Sequence, residues 1–79
     1  MAKVIVYSLP TCPYCRKAKE FLDAYNIKYE DINVATDKEG MEEMVRKTGQ
    51  MSVPVLTIDD QIVIGFDRRK ISELLGLAE

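Results

Sequence analysis

Apolar positions along this chain fall into seven short runs, three of them with a helical period. Val4-Ile5-Val6 are apolar on consecutive residues within Lys3–Ser8, as in a strand covered on both faces. Leu9-Pro10-Thr11 then turns the chain. From Pro13 to Tyr25, Ala18, Phe21, Leu22 and Tyr25 recur at helical spacing, leaving Arg16, Lys17, Lys19, Glu20 and Asp23 mostly to water. Pro13 suits a first helical turn, where its missing N–H is not needed, and Asn26 is a left-handed C-cap. Lys28–Asn33 alternates in part, through Tyr29 and Ile32, and predicts a second strand. Thr36 with Glu39 three residues on resembles a capping box, opening a helix with Met41, Met44 and Val45 as its stripe and Gly49 as its end. Gly40 near its start runs against helix propensity. Val53–Ile58 is a third strand with Pro54 at its start, where a missing donor is tolerated. Asp59-Asp60 makes a tight turn into Gln61–Ile64, so the two runs form a hairpin. Gly65 breaks the run, and Asp67 caps a last helix whose core face is Ile71, Leu74 and Leu75.

The order β-α-β-α-β-β-α predicts an α/β fold. Its first strand–helix–strand unit implies a right-handed parallel crossover, and the closing hairpin adds an antiparallel edge. The expected architecture is a four-stranded mixed sheet flanked by three helices, as one domain over residues 1–79. A chain of 79 residues with 47% hydrophobic and 30% charged residues has the composition of a small globular domain. The net charge of -2 argues against nucleic acid as a partner, and Arg16-Lys17-Lys19 and Arg68-Arg69-Lys70 read as solvated helix faces. Met1-Ala2-Lys3 leads straight into the first strand without a signal sequence, and no run approaches a membrane span. The expectation is a cytoplasmic monomer.

Both cysteines sit in one tetrapeptide, Cys12-Pro13-Tyr14-Cys15. Placed at random, two cysteines in a chain of this length would fall three apart only about one time in forty. Their place at a helix start gives the spacing a chemical meaning. Unpaired N–H groups and the positive end of the helix dipole favour thiolate, the nucleophilic form. There is no histidine, which removes imidazole bases and His-containing metal sites. Thiol–disulfide exchange follows as the leading chemistry.

Thr11-Cys12-Pro13-Tyr14-Cys15 opening a helix, Ser52-Val53-Pro54 before a hairpin and Gly65-Phe66-Asp67 before the last helix together resemble a glutaredoxin. The resemblance covers the whole chain and implies a minimal thioredoxin-like fold. It makes Cys12 the attacking thiolate and Cys15 the resolving thiol, with Thr11 and Pro13 shaping their turn and Tyr14 bordering the substrate groove. It implies that Pro54 is a cis-proline beside the dithiol and that Val53 offers its backbone to a peptide or to glutathione. It places Gly65, Phe66 and Asp67 at the γ-glutamyl end of glutathione, with Gln50 and Ser52 lining the same groove. The implied activity is reduction of protein disulfides and glutathione mixed disulfides, with glutathione as co-substrate and no bound cofactor. The chain departs from the pattern in two places. A lysine common three residues before the first cysteine is Leu9 here, and bulky Ile64 and Phe66 flank Gly65. The first removes a charge-paired anchor for glutathione, and the second leans towards short glutaredoxin-like electron donors, some serving ribonucleotide reductase and reduced by a flavin thioredoxin reductase.

A metal or iron–sulfur module is the rival from another class. One Cys-X-X-Cys pair without histidine supplies two ligands, half of a closed zinc site, and Pro13 is unlike the family's cluster binders; no metal ligand is assigned. A purely structural disulfide closes too small a loop to stabilise much.

Overall fold

The computed structural model describes residues 3–50 and 53–77. Strand β1 (Val4–Ser8) is followed by helix α1 (Pro13–Ala24), strand β2 (Glu30–Asn33), helix α2 (Lys38–Thr48), the hairpin β3 (Val55–Ile58) and β4 (Gln61–Ile64), and helix α3 (Arg68–Leu75). The sheet order is β2-β1-β3-β4, with β1 and β2 parallel and the other two pairings antiparallel. This is the expected order and architecture.

Strand alternation divides the core between the two faces of this sheet. Val4 and Val6 of β1, Leu56 and Ile58 of β3 and Val63 of β4 pack with Ala18, Phe21 and Leu22 of α1 and Ile71 of α3. Tyr7 and Val55 point the other way and meet Val34 and Met44, with Ile5, Ile32, Met41, Val45 and Ile62 around them. So α1 and α3 cover one face and α2 the other, which is why β1 can be apolar at consecutive positions. The Tyr7 hydroxyl donates to Glu43 at 3.0 Å, and Lys47 pairs with the same carboxylate at 2.9 Å.

Element ends follow local chemistry. Asn26, at φ 57, closes α1: its N–H donates to Asp23 O and the Ile27 N–H to Leu22 O, the paired bonds of a Schellman motif. Asp59 and Asp60 both take positive φ, the mark of a type I′ hairpin turn that short acidic side chains tolerate. One cap differs from expectation. Asp37, not Thr36, caps α2, accepting from Gly40 N at 2.9 Å, while Thr36 Oγ1 turns back to Asn33 O. A carboxylate one residue on is a better acceptor at the helix start than the threonine hydroxyl.

Gly40 also finds its reason here. A Cβ at this position would run into Cγ2 of Ile32 on β2, so glycine lets α2 approach the sheet closely. In an open helix Gly→Ala stabilises by about 1 kcal/mol. Ile32 carries its Cγ2 on a stiff β-branched carbon and cannot swing aside cheaply. Gly40→Ala is therefore expected to destabilise, by about 1–3 kcal/mol, and to lower the urea midpoint. An unchanged or raised midpoint would show that α2 can move off β2 without loss.

Candidate active site

The sheet register gathers three loops at one end of the molecule. Tyr7 pairs with Val55 and Val55 with Ile64, so the next step sets Ser8 beside Pro54 and Pro54 beside Gly65. The Gly65 N–H donates to Pro54 O at 2.8 Å, fixing that corner. Ser8 leads into the turn before Cys12, and Gly65 into Asp67 and α3. Residues far apart in sequence thus meet at one edge, and the Val53–Pro54 bond is cis.

Cys12 is the N-cap of α1, in extended conformation, with Pro13 in the first helical turn. Its N–H donates to Leu9 O at 3.2 Å, which tightens the turn, and its sulfur accepts from Cys15 N at 3.2 Å. The sulfur thus stands where a serine or aspartate oxygen usually caps a helix. Cys12 is half-buried and Cys15 is 1% exposed; both are free thiols. Burial pushes the Cys15 thiol up to about 11, and its hydrogen bond with Cys12 adds to this, while the Leu9 backbone and Lys19 pull the other way. The two sulfurs are therefore unequal: one at the surface with an N–H aimed at it, the other shielded one turn in.

A shallow depression of about 160 Å³ lies against Cys12, lined by Pro10, Thr11, Pro13 and Arg16. Tyr14 is 60% exposed with Lys17 Nζ 5.2 Å from its ring centroid, so it offers an open aromatic surface beside the dithiol. Across the corner, Gly65 takes φ 80, and the space where its Cβ would project is open. Backbone conformation, rather than crowding by the protein, is what requires glycine there. Phe66 stacks edge-on against Phe21 at 5.9 Å, so its ring secures the approach of α3 to α1. Asp67 caps α3, accepting from Lys70 N at 3.1 Å, and stays exposed. Gln50 is exposed after α2, with its N–H donating to Thr48 Oγ1 at 3.1 Å, while Ser52 lies outside the described residues. Val53 and Leu9 are half-buried against the Tyr7–Val55 cluster, so Leu9 serves packing.

Two features escape a linear reading of the sequence. Arg16, assigned to solvent by periodicity, lines the depression at Cys12. Lys19, assigned likewise, reaches Asp31 at 2.8 Å, and the second oxygen of Asp31 accepts from the buried Ser8 hydroxyl at 2.7 Å. The available signal was spacing: each base lies four residues beyond a cysteine and so on the same helix face.

Comparison with known proteins agrees with this geometry. Residues 4–63 match the family model described as Glutaredoxin. An uncharacterised glutaredoxin-like 8.6 kDa protein in the rubredoxin operon of Clostridium pasteurianum is 46% identical over 70 residues, covering 89% of this chain and 93% of that protein. Glutaredoxin 3 of Escherichia coli K12 is 34% identical over 67 residues, covering 85% and 81% of the two chains. The crystal structure of a point mutant of the thioredoxin-like protein BC3987 superposes with a TM-score of 0.92 at 35% identity, over 99% of this chain and 100% of that one. The matched stretch takes in β1 to β3, β4 up to Val63 and the dithiol turn, and on that extent the chain belongs to the glutaredoxin family of thiol oxidoreductases.

Proposed function

We propose that this protein reduces protein disulfides and glutathione mixed disulfides through Cys12 and Cys15, with glutathione as the returning reductant. The observation that carries the reading is the Cys15 N–H aimed at the half-exposed Cys12 sulfur from the first turn of α1. In the forward step the Cys12 thiolate attacks one sulfur of the substrate disulfide. The S–S bond breaks, its electron pair leaves with the other sulfur, and that thiolate takes a proton from water. Cys15, as thiolate, then attacks Cys12, releases the second substrate thiol and leaves a Cys12–Cys15 disulfide. The dithiol has given two electrons. Two glutathione molecules restore it by the same exchange in reverse order.

The exposed Tyr14 ring, the backbone of Val53 and the Gly65–Asp67 corner form the walls that a glutathionyl or peptide segment would use. Leu9 favours a second reductant, since it supplies no cation for a glycyl carboxylate at that point. Two coupled assays separate them: turnover of a glutathione mixed disulfide with glutathione and its reductase, and insulin reduction with NADPH and thioredoxin reductase. We expect turnover in the first. No turnover with glutathione, combined with activity in the second, would reassign the protein as a thioredoxin-reductase-fed electron donor. Inactivity in both would remove the oxidoreductase reading.

A further inference from the structure

We propose that Arg16 sets the substrate preference of the site, favouring protein disulfides with an acidic side chain beside the cysteine that Cys12 attacks. The inference deepens the function proposed above and rests on Cys12 being the attacking sulfur.

Arg16 is tied to Cys12 by the backbone. Its N–H donates to Cys12 O at 3.3 Å, and the two residues lie one turn apart on the same face of α1. Both line the depression of about 160 Å³, whose other walls are Pro10, Thr11 and Pro13. Arg16 is thus the one charged residue of that lining. So small a space admits little beyond the residue next to the attacked sulfur, and that neighbour is what meets the charge.

Arg16 is also uncommitted within the fold. The ion pairs among the described residues join Lys19 to Asp31 and Lys47 to Glu43. Two further cations of α1 and α3 lie over rings: Lys17 is 5.2 Å from the Tyr14 centroid and Arg68 is 5.6 Å from that of Phe21. Arg16 is exposed and makes no ion pair or ring contact among the described residues. A guanidinium keeps its charge at any working pH, and its planar fork of N–H donors matches a carboxylate.

The placement of charge at this edge runs against folding. Helix α2 follows the dipole rule, with Glu39 in its first turn and Arg46 and Lys47 in its last. Helices α1 and α3 start where Ser8, Pro54 and Gly65 meet, and neither has an acidic residue in its first turn. Instead α3 opens on Arg68-Arg69-Lys70, and α1 reaches Arg16-Lys17 directly after Cys15. Cations there face the positive end of a helix dipole, which is unfavourable. A chain of net charge -2 thus gathers five cations at the starts of these two helices, against Asp67 alone, which caps α3. A local rule obeyed by one helix and broken by the two beside the dithiol points to function at that edge. The resulting field draws in anionic segments and turns away cationic ones, and Arg16 is the member of the group that shares a wall with Cys12.

The test uses the full chain, reduced, and three cyclic peptide disulfides identical except for the residue after each cysteine: Glu, Gln or Lys. Rates come from rapid quenching with an alkylating agent and mass spectrometry, at about 20 mM and about 0.5 M salt. At low salt the parent should react with the Glu peptide about threefold faster than with the Gln peptide and about tenfold faster than with the Lys peptide, the span an exposed charge pair supports. High salt should shrink the Glu-to-Lys ratio to under about twofold. Arg16→Gln should lower the ratio at low salt to about threefold, and Arg16→Lys should restore most of it. The ratio is taken within one variant, so any change in the Cys12 thiolate itself cancels. Lys28→Gln removes the same charge beyond the far end of α1 and should leave the ratio at the parent value. A parent ratio near one, a ratio that Arg16→Gln does not move, or an equal fall in Lys28→Gln would overturn the proposal. A parent that reacts with none of the three peptides, the Gln peptide included, would instead remove the exchange at Cys12 on which the proposal rests.

Discussion

Cys12→Ser should abolish exchange with every disulfide substrate, a loss of at least about a thousandfold, while the fold is retained. A serine hydroxyl ionises far too weakly to attack sulfur without a base, and the chain has no histidine to serve as one. The structural cost is small because serine is a preferred N-cap, and its oxygen can accept the Cys15 N–H that the sulfur now accepts at 3.2 Å. Thermal unfolding of the variant should stay close to the parent, which separates lost chemistry from lost structure. Cys15→Ser should behave differently. It removes the internal resolving thiol, so dithiol reduction of insulin falls by a comparable factor, while turnover of a glutathione mixed disulfide continues because external glutathione attacks at Cys12. Identical losses in both variants on the glutathione substrate would show that the roles of the two sulfurs are assigned wrongly. The asymmetry behind the prediction is physical: one sulfur reaches solvent at a helix start, and the other is 1% exposed within the first turn.

How far such a site can be read from sequence depends on whether its parts are local or meet only in the fold. The dithiol turn is local. A strand, a Pro at the helix start and a Cys-X-X-Cys pair lie within twelve residues, Val4 to Cys15, so periodicity and spacing suffice to place the pair at a helix start, and the family resemblance supplied the order of an exposed Cys12 and an inner Cys15. The same holds for the hairpin, where Asp59 and Asp60 stand between two apolar runs. The opposing wall is not local. Pro54 looked like an ordinary strand-start proline from its neighbours, and only the family resemblance pointed to a cis bond, which the structure contains. Lys19 and Asp31 were legible as charges but not as a pair, because the α1–β2 crossover brings them together and periodicity assigned the lysine to water. The capping residue of α2 slipped by one position because Thr36 and Asp37 are both competent acceptors, and side-chain geometry chooses between them. Gly40 looked like a defect in a helix until the neighbouring strand supplied Ile32 as the reason for it.

Leu56→Ala should be the most damaging single truncation for stability. Leu56 sits in the middle of the sheet, between Val6 on β1 and Val63 on β4, and is fully buried beneath both helices of its face. Its cluster joins Ala18, Phe21 and Leu22 of α1 to Ile71 of α3, so few neighbours can collapse into the vacated space without dragging a helix. Buried Leu→Ala changes cost about 2–5 kcal/mol, with the upper values where the cavity stays open. A domain of this length has a total stability of about 4–12 kcal/mol, so the variant loses a substantial share of it. With a urea slope of about 1 kcal/mol/M for so small a protein, the midpoint should fall by roughly 2 M or more. The same experiment on Lys19→Met should show a change of at most about 1 kcal/mol, since an ion pair at the helix surface contributes little to folding. That contrast separates the two kinds of residue around the dithiol. If Leu56→Ala lost less than about 1 kcal/mol, the sheet and helices would be packed loosely enough to close over a missing side chain, and the register that brings Ser8, Pro54 and Gly65 to one edge would need another support. If it loses the expected amount yet, below its unfolding transition, attacks disulfides through Cys12 at the parent rate, then Leu56 holds the platform together while the turn at Cys12 carries the chemistry by local geometry alone.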